Sequence, residues 1–140
     1  IAVGMVDGLG AGDNTRAALI TRGLAEMTRL GTVLGGRAET FAGLAGMGDM
    51  IATCTSPQSR NRHVGIELAK GHSIDDIIAS MHMVAEGVKS APTVIELASE
   101  HGIDMPISTD VFKVVTGASN ASGVYRGLLR TRAAAESEPG

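Results

Sequence analysis

The chain has no tryptophan, one cysteine and three aromatic residues in all, Phe41, Phe112 and Tyr125. So few aromatics give no platform on which bases could stack. The single cysteine, Cys54, rules out an internal disulfide framework and fits a reducing, cytoplasmic compartment. As a thiol it is either a reactive group or a small buried hydrophobe. One cysteine and the unpatterned His63, His72, His82 and His101 make no metal site, so none is expected. His63, beside Arg62, reads as a surface residue. No apolar run approaches the ~20 residues that cross a bilayer, and no signal peptide is visible. The net charge is -3 and the arginines are scattered, which argues against a nucleic-acid partner. No phosphate loop of the GxxxxGKS or GxxxxGKT kind occurs, and Gly8 to Gly12 follows no strand, so it reads as a turn between helices.

What remains is ordinary globular material. The 140 residues are 44% apolar and 19% charged, enough for one core burying about two thirds of the unfolded surface. The pattern is helical almost throughout. Asp13-Asn14-Thr15 offer caps, and Ile20, Leu24, Met27, Leu30 and Leu34 recur at helical spacing until Gly35-Gly36. Further helices are expected from about Arg37 to Ala45, from Asp49, from Pro57 to Lys70 with Gly71 as terminator, and from Ser73 towards Met81 behind a Ser73/Asp76 capping box. Pro92 leaves Ser90 to Glu100 either a new helix or a kinked continuation from Glu86, ending at Gly102. Met105-Pro106 opens a helix over Ile107 to Val115, and a last one runs beyond Gly123 to Arg132. The domain is thus expected over 1–132, with 133–140 a disordered tail.

The chemistry concentrates in Gly46 to Arg62, where an acid, hydroxyls, an amide and two arginines lie in a short run. Ser56-Pro57 reads as a helix start, which puts Ser59, Arg60 and Asn61 in the first turn. Cations there oppose the helix dipole at about 0.3–1 kcal/mol each. Arg60 and Arg62 are either a solvated pair or the fork of a site for a polyhydroxylated anion, which the helix terminus would also favour. Asp49 and Thr53, spaced i, i+4, share one helix face and could reach one substrate. Asp49, flanked by Met47, Met50 and Ile51, is expected to need a partner in partly apolar surroundings, or else simply to cap its helix.

These residues carry a resemblance. The run GLAGMGDMIATCTSPQSRNRHVG, with NTRAALITRGLAEMTRLG before it and VAEGVKSAPTVIELASEHGIDMPI after it, closely resembles the C-terminal half of bacterial NAD(P)-dependent glycerol-3-phosphate dehydrogenases, from residue 1 to about Val115. The resemblance implies an all-α domain, a multi-helix bundle like the C-terminal domain of 6-phosphogluconate dehydrogenase. It implies that Asp49 and Thr53 contact the glycerol part of the substrate and that Ser59, Arg60 and Asn61 line its phosphate and hydroxyl end. Arg60 would also touch NAD or NADP, with Val84 and Glu86 bordering that cofactor. The implied reaction interconverts sn-glycerol 3-phosphate and dihydroxyacetone phosphate in the cytoplasm and supplies phospholipid synthesis.

The proton-transferring lysine of the family would match a position just before Ile1, and Lys70, Lys89 and Lys113 are not in its context. With Ile1 inside the apolar run IAVGMV, the chain is expected to be a fragment cut within a helix. Ile1, Val3 and Val6 would then be left exposed, to be hidden by self-association into a homo-oligomer or by rearrangement. Two other readings stay open: the corresponding domain of another two-domain hydroxy-acid dehydrogenase, and a non-catalytic helical interaction module.

Overall fold

The computed structural model describes residues 1–130, which form helices with no strand among the described residues. In chain order they are α1 (Ala2–Gly8), α2 (Asp13–Val33), α3 (Ala38–Ala42), a π-helical turn (Leu44–Gly48), α4 (Asp49–Thr55), α5 (Arg60–Ala69), α6 (Ile74–Ser80), α7 (Glu86–Glu100), α8 (Pro106–Val115) and α9 (Ala121–Arg130). No described helix is long and apolar enough to cross a membrane. The expected end at Arg132 and the tail 133–140 lie outside the described residues.

α1 is the centre of the bundle, and Val3, Gly4, Met5 and Val6 are all buried. A helix that is apolar on nearly every side belongs inside, its one charge, Asp7, being paired. Met5 joins the main core with Val64, Leu68, Ile77, Ala91, Val114, Val115 and Val124, while Val3 and Val6 pack with Leu19 and Ile107. This corrects the expectation that Val3 and Val6 would be exposed: Leu19 of α2 and Ile107 of α8 cover them within the same chain. The α1–α5 contact is made backbone to backbone. A methyl group on Gly4 would run into the Arg62 carbonyl, and one on Gly65 would lie 2.7 Å from the Met5 nitrogen.

Helix ends follow the local chemistry in most places. Gly35, Gly71 and Gly102 have φ of +94°, +92° and +65°, the left-handed geometry that glycine takes cheaply after a helix. The Ser73 Oγ accepts the Asp76 N–H at 3.2 Å. α7 runs through Pro92 as one helix, so the kink-or-restart alternative resolves to continuity from Glu86.

Four boundaries differ from expectation. Asp13 does not cap α2; Gly12 does, and the Asp13 carboxylate pairs with Arg16 at 3.1 Å. The helix expected over Arg37 to Ala45 stops at Ala42, where Gly43 is extended and the chain enters the π-turn. α5 starts at Arg60 rather than Pro57, because the Ser56 Oγ accepts the Gln58 N–H and closes a turn, leaving Ser59 as the cap. α9 begins at Ala121, before Gly123, with the Asn120 Oδ1 accepting the Gly123 N–H at 2.8 Å.

Candidate functional site

The end of α4, the turn after it and the first turn of α5 enclose a polar cleft of about 400 Å³. Its walls carry Thr53, Ser59, Arg60 and Asn61, joined by Glu86 from the first turn of α7. Ser56 and Gln58 also line it; the sequence had pointed to Ser56 only as a helix cap. Four of the five expected substrate residues and one of the two additional cofactor residues are therefore brought together. Val84 is half-buried in the segment just before α7 and does not line this cleft.

Asp49 is placed differently. The π-turn runs directly into α4 with Gly48 in the N-terminal cap position, so the Asp49 carboxylate does not cap α4. It is exposed rather than enclosed among apolar neighbours, and it has no side-chain partner among the described residues. The expected need for one disappears with that exposure, since water solvates the carboxylate. Asp49 and Thr53 do share α4 at i, i+4, on one face. π-helical turns are frequent at functional sites, and this one sets the rotational phase at which α4 presents both residues.

The two arginines of α5 turn out to be unlike each other. Arg62 reaches back to α1, where its Nη2 lies 2.8 Å and its Nε 3.0 Å from the Asp7 Oδ2. Asp7, its side chain 7% exposed, also accepts from the Arg16 Nε of α2 at 2.9 Å, and this contact holds the Arg16 guanidinium above its ordinary range. Arg60 is exposed at the cleft, without an acidic partner among the described residues. The Ser59 Oγ accepts the Arg62 N–H at 3.2 Å, leaving its own hydroxyl hydrogen to donate. The Asn61 Oδ1 accepts the Gly87 N–H at 2.9 Å.

No described lysine lines the cleft: Lys70 pairs with Glu67 at 2.7 Å, and Lys113 lies 3.7 Å from Asp110. Cys54, half-buried against Val3, Val6 and Leu19, faces a separate apolar cavity of about 470 Å³. Burial pushes its thiol above the ordinary range, the opposite of what a reactive cysteine needs. His63 is exposed on α5.

The chain is similar to known proteins along most of its length. Residues 1–126 match the family model described as NAD-dependent glycerol-3-phosphate dehydrogenase C-terminus. A glycerol-3-phosphate dehydrogenase (NAD(P)+) 2 of Sphingopyxis alaskensis is 70% identical over all 140 residues, which cover 42% of that protein. A glycerol-3-phosphate dehydrogenase (NAD(P)+) 1 of Mycobacterium bovis is 57% identical over 129 residues, 92% of this chain and 38% of the relative. The crystal structure of glycerol-3-phosphate dehydrogenase from Coxiella burnetii superposes with a TM-score of 0.88 at 42% identity, covering 92% of this chain and 40% of that one. The chain thus spans about two fifths of the length of the relatives it matches, and it belongs to the family of C-terminal domains of NAD-dependent glycerol-3-phosphate dehydrogenases.

Proposed function

We propose that this domain grips the substrate in a dehydrogenase that interconverts sn-glycerol 3-phosphate and dihydroxyacetone phosphate with NAD or NADP. The observation that carries the reading is the division of labour between the two arginines. Asp7 neutralises Arg62, so Arg60 is the cation left uncommitted at the first turn of α5. A phosphate there meets a guanidinium fork, the orphan N–H groups of the helix start and the donors of Ser59 and Asn61. Thr53 and the exposed Asp49 orient the glycerol hydroxyls from α4.

The residues present also fit the edge of a dinucleotide. Glu86 offers the same cleft a carboxylate, which accepts hydrogen bonds from ribose hydroxyls, and Arg60 is within the same walls. The cofactor, when bound, supplies or takes up hydride, while this domain supplies grip and orientation. The base that moves the hydroxyl proton is none of Lys70, Lys89 or Lys113, so the 140 residues alone do not turn over. Such a protein works in the cytoplasm, on the way to phospholipids.

The test is Arg60→Ala in the complete enzyme. A lost charge-assisted contact lowers kcat/KM for dihydroxyacetone phosphate at least about tenfold. Arg60→Lys recovers part of it by keeping the charge without the planar fork. A change within about threefold, under 1 kcal/mol of transition-state stabilisation, would remove the phosphate role.

A further inference from the structure

α7 starts without a cap of its own. Its cap position holds Ala85, which has no side-chain acceptor, although the first N–H groups of a helix have no intrahelical partner. The Gly87 N–H is taken instead by the Asn61 Oδ1, from the first turn of α5 and 26 residues earlier in the chain. A donor on that side fixes the amide: Oδ1 accepts from α7, so the Nδ2 donors are the part of Asn61 left for another partner. Asn61 borders both the polar cleft and the apolar cavity, and Gly87 borders the latter. A side chain at position 87 would push Asn61 aside, since a Cβ would lie 2.7 Å from the Asn61 Oδ1, 3.1 Å from its Cγ and 3.2 Å from the Ile1 Cδ1. The residue before it, Glu86, stands in the cleft.

We propose that Gly87 is a positioning residue that acts through Asn61. Its N–H sets the amide so that Nδ2 serves the phosphorylated substrate, and the same bond ties the substrate side, α5, to the start of α7 at the cofactor side. This inference rests on the function proposed above. Substrate and dinucleotide then sense each other through one hydrogen bond, and the coupling is reciprocal.

The test uses the complete dehydrogenase with four variants, Gly87→Ala, Asn61→Ala, their double and Asn61→Asp. Gly87→Ala raises KM for dihydroxyacetone phosphate about tenfold, as expected for a misdirected charge-assisted contact, with a much smaller effect on kcat. It adds nothing in the Asn61→Ala background, a non-additivity that independent structural damage does not produce. Asn61→Ala raises KM for the dinucleotide as well. Asn61→Asp keeps an acceptor for the Gly87 N–H and raises only the KM of the phosphorylated substrate. If Gly87→Ala does not fold, the contrast between Asn61→Ala and Asn61→Asp decides. Additive effects, or a dinucleotide KM untouched by Asn61→Ala, overturn the inference. With Arg60→Ala still harmful, such results leave the phosphate site standing. A harmless Arg60→Ala removes both.

Discussion

Glu26 of α2 and Ile107 of α8, 81 residues apart, are joined by a 2.7 Å hydrogen bond from the Ile107 N–H to the Glu26 Oε1. The other carboxylate oxygen takes the Ser108 N–H at 3.1 Å and its hydroxyl at 2.9 Å. Met105, in the cap position of α8, has no side-chain oxygen to offer, so a carboxylate only 3% exposed does the capping from another helix. Charge and helix dipole reinforce each other there. Glu26→Ala should therefore cost about 3 kcal/mol, because it strands buried donors as well as losing packing. Glu26→Gln, which keeps one acceptor, should cost about half as much. Urea titrations of both variants measure the difference.

Asp7 holds three helices together through Arg16 and Arg62. Asp7→Asn leaves Arg62 without its counter-charge in a largely enclosed place, and a loss of about 2 kcal/mol is expected, below the full cost for a buried pair since the arginines keep some water. Arg16→Ala, at the solvent side, should be milder. Raised salt should change the ranking little, because the carboxylate is shielded by protein. Thermal melts at low and high salt check this.

Two glycines should respond with opposite signs. Gly65→Ala sets a methyl 2.7 Å from the Met5 nitrogen and 2.8 Å from the Gly4 Cα. Backbone cannot step aside as a side chain can, so a loss of at least about 3 kcal/mol is expected. Gly23→Ala, in the interior of α2 with only Met50 atoms at 3.9 and 4.0 Å, should instead stabilise by up to about 1 kcal/mol through helix propensity. Equilibrium unfolding of the pair separates packing from propensity.

Cys54 should be slow. Desolvation raises its thiol pKa, so alkylation by iodoacetamide near pH 8 should lag an unfolded control and catch up only at higher pH. The sign for stability follows. A folded pKa above the unfolded one favours the protonated thiol, giving stability that is complete below the ordinary thiol pKa and lost as pH rises through the folded value. Cys54→Ser should flatten that alkaline decline.

Much of this was readable along the chain. Gly35, Gly71 and Gly102 stop their helices, Ser73 caps with Asp76, and Pro106 opens α8, because each signal acts within a few residues. The charge misfit of Arg60 and Arg62 was equally visible. Which arginine was committed was not, since the answer is Asp7, 55 residues away. The same holds for Asn61 with Gly87 and for Glu26 with Ile107: in each a distant side chain caps a helix whose own cap residue, Ala85 or Met105, cannot. Ser56-Pro57 misled because a serine before proline suits a tight turn as well as a helix start, and the Gln58 N–H settles which. The π-turn was not legible in residue spacing: Gly43 fell inside the helix expected over Arg37 to Ala45, and nothing marked Leu44–Gly48 as a wider turn.

The glycine-to-glycine crossing of α1 and α5 has a mechanical meaning. Where a layer of side chains separates two helices, it can re-pack when one of them shifts. Between Gly4 and Gly65 that layer is missing, and the Asp7–Arg62 pair pins the same two helices. A shift of α1 against α5 is therefore opposed by backbone contact as well as by the ion pair. Arg60, two residues before Arg62 on α5, is thereby held in register with α1, so the crossing fixes the place of the cleft as well as filling the core.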